Sequence, residues 1–134
     1  NGSVPKFAAY DIYGKPVNNA MLAKADTAVV IAWATWNYNS MSMLQTVAQI
    51  QKEKGSKMKV LGVCLDYSRS LCRTALRQRD MNDIPTVCDG KAVDGDVYNR
   101  LGMSNLPDNI VIEKGRVTAT GLTLEQLRKK LGKE

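Results

Sequence analysis

The sequence predicts an α/β domain in which a mixed β-sheet carries helices on both faces. The first reason is the apolar run Ala28–Ala32, which is rich in β-branched residues and too short for a helix. Such a run is typical of a strand buried on both sides. The second reason is the helical spacing of apolar residues in the next segment, 43–50. The third is the end of the chain, where two strand-like segments joined by Lys114–Gly115 precede a final helix.

The first half of the chain divides into alternating strands and helices. A loosely alternating segment, Val4–Ile12, leads into a turn at 13–16, and a short helix at Ala20–Ala23 follows, capped by Asn18 or Asn19. The central strand is predicted at Thr27–Ala34. The longest helix is predicted from about Asn39 to Lys54, ending at Gly55.

The second half continues the alternation and closes with a hairpin. The predicted elements are a strand at Met58–Leu65, a helix from Leu71 to about Arg79 capped by Ser68 or Ser70, an irregular extended segment at Asp83–Gly90, a short helix at Val93–Leu101, strands at Asn109–Glu113 and Arg116–Thr120, and a last helix at Leu124–Leu131 capped by Thr123. We therefore expect one domain over residues 1–134. Its first residues, Asn1–Ser3, suggest a processed or appended start, so we expect a longer precursor.

Composition excludes some classes of function. The net charge is +6, but the basic residues concentrate at 52–59 and 128–130, which are predicted helix ends. They do not form a basic stripe interleaved with aromatic residues, so we expect no nucleic-acid partner. No apolar run approaches the roughly 20 residues that span a bilayer, so a membrane link would need an anchor preceding this segment.

The sequence Trp33-Ala-Thr-Trp36 resembles the segment that leads into the redox motif of TlpA/ResA-like thiol–disulfide oxidoreductases, which have a thioredoxin-like fold. Further similarities follow in the same order along nearly the whole chain: Pro5, Phe7, Asp11, Gly14, Lys15 and Pro16 near the start, and Tyr98, Gly102, Pro107, 110–112, Gly115 and Val117 towards the end. The resemblance implies that the fold is thioredoxin-like.

The chemistry of that family is missing from the matching positions. Where the family has Cys-x-x-Cys, this chain has Asn37-Tyr38-Asn39-Ser40. An amide is not redox-active, and a serine hydroxyl without a neighbouring base is inert. We therefore expect no catalytic residue at Asn37 or Ser40 and a redox-inactive loop. Asn37 and Ser40 would serve polar recognition or helix capping, or Asn39 or Ser40 would simply cap the helix.

The resemblance also implies a binding surface. Pro107 matches the family's cis-proline, so we expect Leu106–Pro107 to be cis and to lie at the foot of the Asn37–Ser40 loop. Trp36, Tyr38 and Asn39 would join these two residues in a surface for a protein or peptide partner. Domains of this family are usually extracytoplasmic, either in the bacterial periplasm or tethered as lipoproteins, and we expect the same placement here.

The three cysteines, Cys64, Cys72 and Cys88, form no Cys-x-x-Cys, and the chain contains no histidine. We therefore expect no transition-metal site and no cofactor, and buried packing as the main role of these thiols. A pairing of Cys64 with Cys72 or with Cys88 stays open. Two alternatives to a binding domain also remain: an active oxidoreductase that uses these relocated cysteines, and a purely structural domain of a larger envelope protein.

Overall fold

A computed structural model describes residues 2–132 of the chain. The strands are β1 (Ala8–Tyr10), β2 (Pro16–Asn18), β3 (Thr27–Trp33), β4 (Met58–Cys64), β5 (Thr86–Val87), β6 (Asp108–Glu113) and β7 (Arg116–Thr120). The α-helices are α1 (Asn19–Lys24), α2 (Tyr38–Lys54), α3 (Arg69–Gln78), α4 (Asp96–Arg100) and α5 (Leu124–Lys130). The prediction of a mixed sheet flanked by helices is confirmed.

The main sheet has five strands in the order β5-β4-β3-β6-β7. Strand β3 pairs in parallel with β4 and antiparallel with β6, while β5 is parallel to β4 and β7 is antiparallel to β6. The carboxyl ends of β3, β4 and β5 therefore meet at one edge of the sheet. In sheets of this kind, ligands and reactive groups collect at that edge.

Strand β3 is buried on both faces, as its composition predicts. Val29, Ile31 and Trp33 belong to the core beneath α2, α3 and α5. The alternate residues Ala28, Val30 and Ala32 belong to a second core with α1, α4 and the β1–β2 hairpin. Alternate residues of a strand point to opposite faces, so a short apolar run can supply both layers.

Several predicted boundaries differ from the structure. The alternation at Val4–Ile12 forms a strand only at Ala8–Tyr10, which pairs with β2, a strand that the sequence analysis did not separate from the turn. The predicted helix at Val93–Leu101 is a 3₁₀ turn at Ala92–Asp94 followed by α4. Within Asp83–Gly90, Thr86 and Val87 pair with β4. The predicted turn at Lys114–Gly115 is present, with positive φ at both residues.

Within residues 2–132, no helix is both long enough and apolar enough to cross a membrane. Of the predicted start segment Asn1–Ser3, Asn1 lies outside the described residues. Ser3 forms an isolated β-bridge with Arg116, at the edge strand β7.

Candidate functional site

The loop between β3 and α2 lies at the carboxyl edge of the sheet, and Asn37 is its last residue before the helix. Asn37 is the N-cap of α2: its side-chain oxygen accepts a hydrogen bond of 2.8 Å from the Ser40 backbone N–H. A cap of this kind satisfies one of the backbone donors that a helix start leaves open. Of the three capping candidates Asn37, Asn39 and Ser40, it is Asn37 that caps the helix, which begins at Tyr38, one residue before the predicted Asn39.

Ser40 is a structural residue. It is fully buried, and its hydroxyl oxygen accepts from the Ala34 backbone N–H at 3.0 Å. The hydroxyl itself lies within donating distance of two carbonyl oxygens, that of Asn37 at 2.8 Å and that of Ala34 at 3.2 Å. Both positions that hold sulfur in the similar family are therefore occupied by groups that hold the loop in shape.

The aromatic residues of this loop face solvent. Trp36 is 67% exposed and Tyr38 is 82% exposed, whereas Trp33 is fully buried. Exposed aromatic side chains of this size are common in binding surfaces because they offer a large apolar area with little conformational entropy to lose. The loop thus combines unreactive residues that hold its shape, Asn37 and Ser40, with exposed aromatic side chains, Trp36 and Tyr38.

A cleft of about 430 Å³ lies between the start of α2 and the segment that precedes β6. Its lining consists mainly of uncharged side chains, including Asn39, Met43, Pro107 and Leu122. The Leu106–Pro107 peptide bond is cis, and both residues are half-buried. The structure therefore brings Asn39 and Pro107 together, while Trp36, Tyr38 and Leu106 are not part of the described lining of the cleft.

The segment before β6 is held in place by Asp108. One oxygen of this buried carboxyl group accepts from the backbone N–H groups of Ser104 and Asn105 at 2.8 and 3.2 Å, and the other accepts from that of Asn109 at 2.9 Å. Asn109 in turn bonds both backbone groups of Leu122. These contacts fix the two walls of the cleft, so its shape is preformed.

Beside the loop, the structure brings the three cysteines together. Cys64 ends β4, Cys72 lies in α3, and Cys88 follows β5 directly. Their sulfur atoms all lie within 4.8 Å of one another, and all three residues are buried. The sequence left a pairing of Cys64 with Cys72 or Cys88 open, but the meeting of all three was not predicted, because Asp83–Gly90 was expected to be irregular and the pairing of β5 with β4 was not foreseen.

The thiols of this cluster differ in the direction in which their surroundings shift the pKa. Hydrogen bonds from the thiols of Cys64 and Cys72 lower the pKa of Cys88, and the backbone N–H of Gly90 and the charge of Arg69 act in the same direction. The pKa of Cys64 is raised, chiefly by its hydrogen bond with Cys72. The Asp66 carbonyl oxygen, 3.4 Å from the Cys88 sulfur, opposes ionisation of Cys88, since it can accept only from a protonated thiol.

Asp66 connects this cluster to the loop. Its buried carboxyl group accepts from the backbone N–H and from the hydroxyl of Thr35, both at 3.0 Å. The same group accepts from the Cys64 thiol at 3.4 Å. One side chain therefore contacts both the loop that contains Trp36 and, through Cys64, the cysteine cluster.

No family model matches the sequence, and none of the curated proteins matches it. Solved structures do match. A protein described as a thiol-disulfide oxidoreductase from Bacteroides fragilis superposes with a TM-score of 0.79 at 22% identity, covering 96% of each chain. A secreted disulfide oxidoreductase of Mycobacterium tuberculosis gives 0.75 at 16% identity, covering 93% of each chain. A DsbF homologue from Corynebacterium diphtheriae gives 0.77 at 21% identity, covering 95% of this chain and 83% of that one. The predicted fold is thereby confirmed: the chain has the thioredoxin-like fold of these thiol–disulfide oxidoreductases.

Proposed function

We propose that this domain is a redox-inactive binding module of thioredoxin-like fold, which holds an extended peptide segment of a partner protein at the loop between β3 and α2. The observation that carries the proposal is the state of that loop. Asn37 and Ser40 are committed to hydrogen bonds within the domain, while Trp36 and Tyr38 remain exposed on either side of Asn37. The site retains accessible apolar surface at a place where no sulfur is present to react.

The adjoining cleft supports a peptide as the ligand. Amide and hydroxyl groups from Asn39, Ser42, Asn105 and Thr123 line it together with apolar side chains. The only formally charged group in this lining, Asp108, is already engaged by backbone N–H groups. Uncharged polar groups beside apolar ones suit a peptide main chain and an apolar side chain better than they suit a charged small molecule.

The proposal is tested with an array of short unstructured peptides, followed by affinity measurements on the best binders. The double variant Trp36→Ala/Tyr38→Ala should weaken binding about 10-fold or more, because exposed aromatic residues dominate such interfaces. Tyr10→Ala is the matched control, since Tyr10 is also 67% exposed but lies on β1, in the separate hairpin. Equal losses in both variants, or no binder in the array, would show that this loop is not a peptide site.

A second candidate function, thiol–disulfide exchange through relocated cysteines, is favoured by the proximity of the three sulfur atoms. Burial counts against it, because Cys64, Cys72 and Cys88 are only 3%, 0% and 1% exposed and a substrate disulfide must reach the attacking sulfur. Insulin reduction with dithiothreitol separates the two functions. Acceleration that is lost in a Cys88→Ala variant would favour exchange over the binding module.

We also propose that the domain acts outside the cytoplasm. The proposal is supported by the resemblance to TlpA/ResA-like proteins and by the similar Mycobacterium tuberculosis protein, which is described as secreted. Fractionation of cells that express the full-length protein from its own gene tests it, and recovery in the cytoplasmic fraction alone would contradict it.

A further inference from the structure

Three separate elements contribute one cysteine each to a single buried point, and no step of the proposed peptide binding uses them. Cys64 comes from the end of β4, Cys72 from α3 and Cys88 from the segment after β5. Each pair of their sulfur atoms lies within 4.8 Å. Isolated buried cysteines usually act as small apolar residues, but convergence of all the cysteines of a chain on one point is the arrangement of a ligand set.

We propose that Cys64, Cys72 and Cys88 form a binding site for a single thiophilic d¹⁰ metal ion, with Cu(I) and Zn(II) as the two ions of this class. This inference does not depend on peptide binding, because it rests on residues outside the aromatic loop and the cleft.

The distances suit a metal. Three sulfur atoms bound at about 2.3 Å to one ion lie about 3.8 to 4.0 Å from one another. The observed separations, all within 4.8 Å, reach that geometry through small side-chain rotations, without movement of the sheet. Thiolates are soft ligands that select Cu(I) or Zn(II) over Mg²⁺ or Ca²⁺, which prefer oxygen.

The number of ligands distinguishes the two ions. Zn(II) in closed sites is almost always four-coordinate, and the chain has no histidine to supply a fourth ligand. The Asp66 carboxyl group lies 3.4 Å from the Cys64 sulfur but does not belong to the set of ligand atoms within 4.8 Å of one another, so it would have to move towards Cys72 and Cys88 to become a fourth ligand. Cu(I) is satisfied by the three sulfur atoms alone, so binding of Cu(I) should not need Asp66, whereas binding of Zn(II) should.

A cationic side chain lies beside the cluster. Arg69 donates a hydrogen bond of 2.8 Å to the Cys88 carbonyl oxygen, which places a guanidinium group beside the cluster. Metal binding exchanges protons for the ion: each thiol that becomes a ligand releases its proton to solvent, and no electron is transferred. Entry of the ion requires local opening, and the segment between Cys88 and α4 contains no regular element other than a 3₁₀ turn.

The test uses the reduced full chain under anaerobic conditions. Cu(I) is titrated against the competing chelator bicinchoninate, and Zn(II) against a zinc-binding dye, with native mass spectrometry to count the ions. The expected result is one ion per chain, ultraviolet absorption of a metal–thiolate bond for Cu(I), and a melting temperature that rises with metal concentration. Cys88→Ala or Cys72→Ala should weaken binding about 100-fold or more, because each removes one of three ligands.

Val87→Ala is the matched control, because it removes a comparable buried volume beside Cys88 without removing a sulfur. If a cysteine-to-alanine variant does not fold, Cys→Ser at the same position gives a close isostere. Asp66→Asn separates the ions: weaker Zn(II) binding with unchanged Cu(I) binding would support the ligand numbers argued above. Absence of binding by both ions, an equal loss in Val87→Ala, or undiminished binding after all three cysteines are replaced would overturn the proposal.

Discussion

Two regions at the same edge of the sheet differ in where their chemistry lies. The loop from Ala34 to Ser40 follows β3 and is exposed at its aromatic residues, but the polar groups of Asn37 and Ser40 are engaged in capping and in backbone hydrogen bonds. The cysteine cluster follows β4 and β5 and contains all the sulfur nucleophiles of the chain, but it is closed to solvent. The accessible apolar surface therefore lies in the loop, whereas the reactive thiols lie in the neighbouring buried cluster. The same fold accommodates both regions.

The largest expected effect is the return of redox chemistry to the loop in the double variant Asn37→Cys/Ser40→Cys. Residue 37 is the N-cap and residue 40 lies in the first turn of α2, a spacing that allows two sulfur atoms to meet. The helix N-terminus should lower the pKa of a thiol at 37. We expect a disulfide in oxidising glutathione buffer and weak activity in insulin reduction, since the rest of the family motif is absent.

The matched control for that variant is Asn37→Ser/Ser40→Thr, which changes the same positions without adding sulfur and should show no activity. If the double cysteine variant folds but forms no disulfide, then the loop differs in geometry from a redox loop. The absence of cysteines would then not be enough to explain why the loop is inert.

The next effect in size is the cost of removing Asp66, the residue that contacts both regions. Asp66→Ala should lower the free energy of unfolding by about 3 kcal/mol, because the Thr35 backbone N–H, its hydroxyl and the Cys64 thiol all lose their acceptor. Asp66→Asn keeps one acceptor oxygen and should cost about half as much. Urea unfolding of the metal-free reduced proteins measures both. An Asp66→Ala cost below about 1 kcal/mol would show that the contact between the regions is weak.

A smaller effect is expected within the loop alone. Ser40→Ala removes the only side-chain acceptor recorded for the Ala34 backbone N–H in the described structure. Leaving a buried donor unsatisfied costs about 1 to 3 kcal/mol. Ser42→Ala, two residues further along α2 and partly exposed, should cost no more than about 0.5 kcal/mol. Similar values in thermal unfolding would mean that Ser40 does not hold the loop.

The smallest expected effect lies at the opposite end of the sheet and serves as a reference. Glu113, paired in register with the first residue of β3, lies 3.2 Å from Lys130. A hydrogen bond from Thr118, and then Lys130, lowers the pKa of Glu113 below its ordinary value of 4.5. A carboxyl group with a lowered pKa stabilises the fold above that ordinary value, and the contribution is lost as the pH falls through the pKa of the folded state.

Lys130→Met should therefore cost no more than about 0.5 kcal/mol at neutral pH, because both groups are partly exposed. The difference from the natural chain should shrink below about pH 4. Chemical unfolding at several pH values measures it. Neither peptide binding nor metal binding should change in this variant, and a change in either would show that the two ends of the sheet are not independent.

The sequence allowed the fold to be predicted because the pattern of burial is local. The run Ala28–Ala32 and the spacing of apolar residues in α2 each encode one element, and the order of elements limits the possible topologies. The short pairing of β1 with β2 was not predicted, because three residues that begin with Pro16 give no measurable alternation. The N-cap could not be narrowed to one residue for a simpler reason: Asn37, Asn39 and Ser40 are all residue types that cap helices.

The cysteine cluster could not be predicted in the same way. Cys64 and Cys88 are 24 positions apart in the sequence and meet only because β5 pairs beside β4. Cys72 joins them because α3 packs its apolar face, with Ala75 and Leu76, against the same core. Convergence of this kind depends on the arrangement of three elements and not on any one of them, so a linear motif search does not find it.

The position of Asp66 has a consequence for how the two regions respond to each other. An ion that drew the Asp66 carboxyl group towards the sulfur atoms would compete with the Thr35 backbone N–H and hydroxyl for that group. If the loop also held a peptide, the two binding events would share a coupling free energy, and such coupling is reciprocal: whatever factor the ion applied to the affinity for the peptide, the peptide would apply to the affinity for the ion. A domain without exchange chemistry at its loop would in this way still let the state of its cysteines set how firmly it holds a partner.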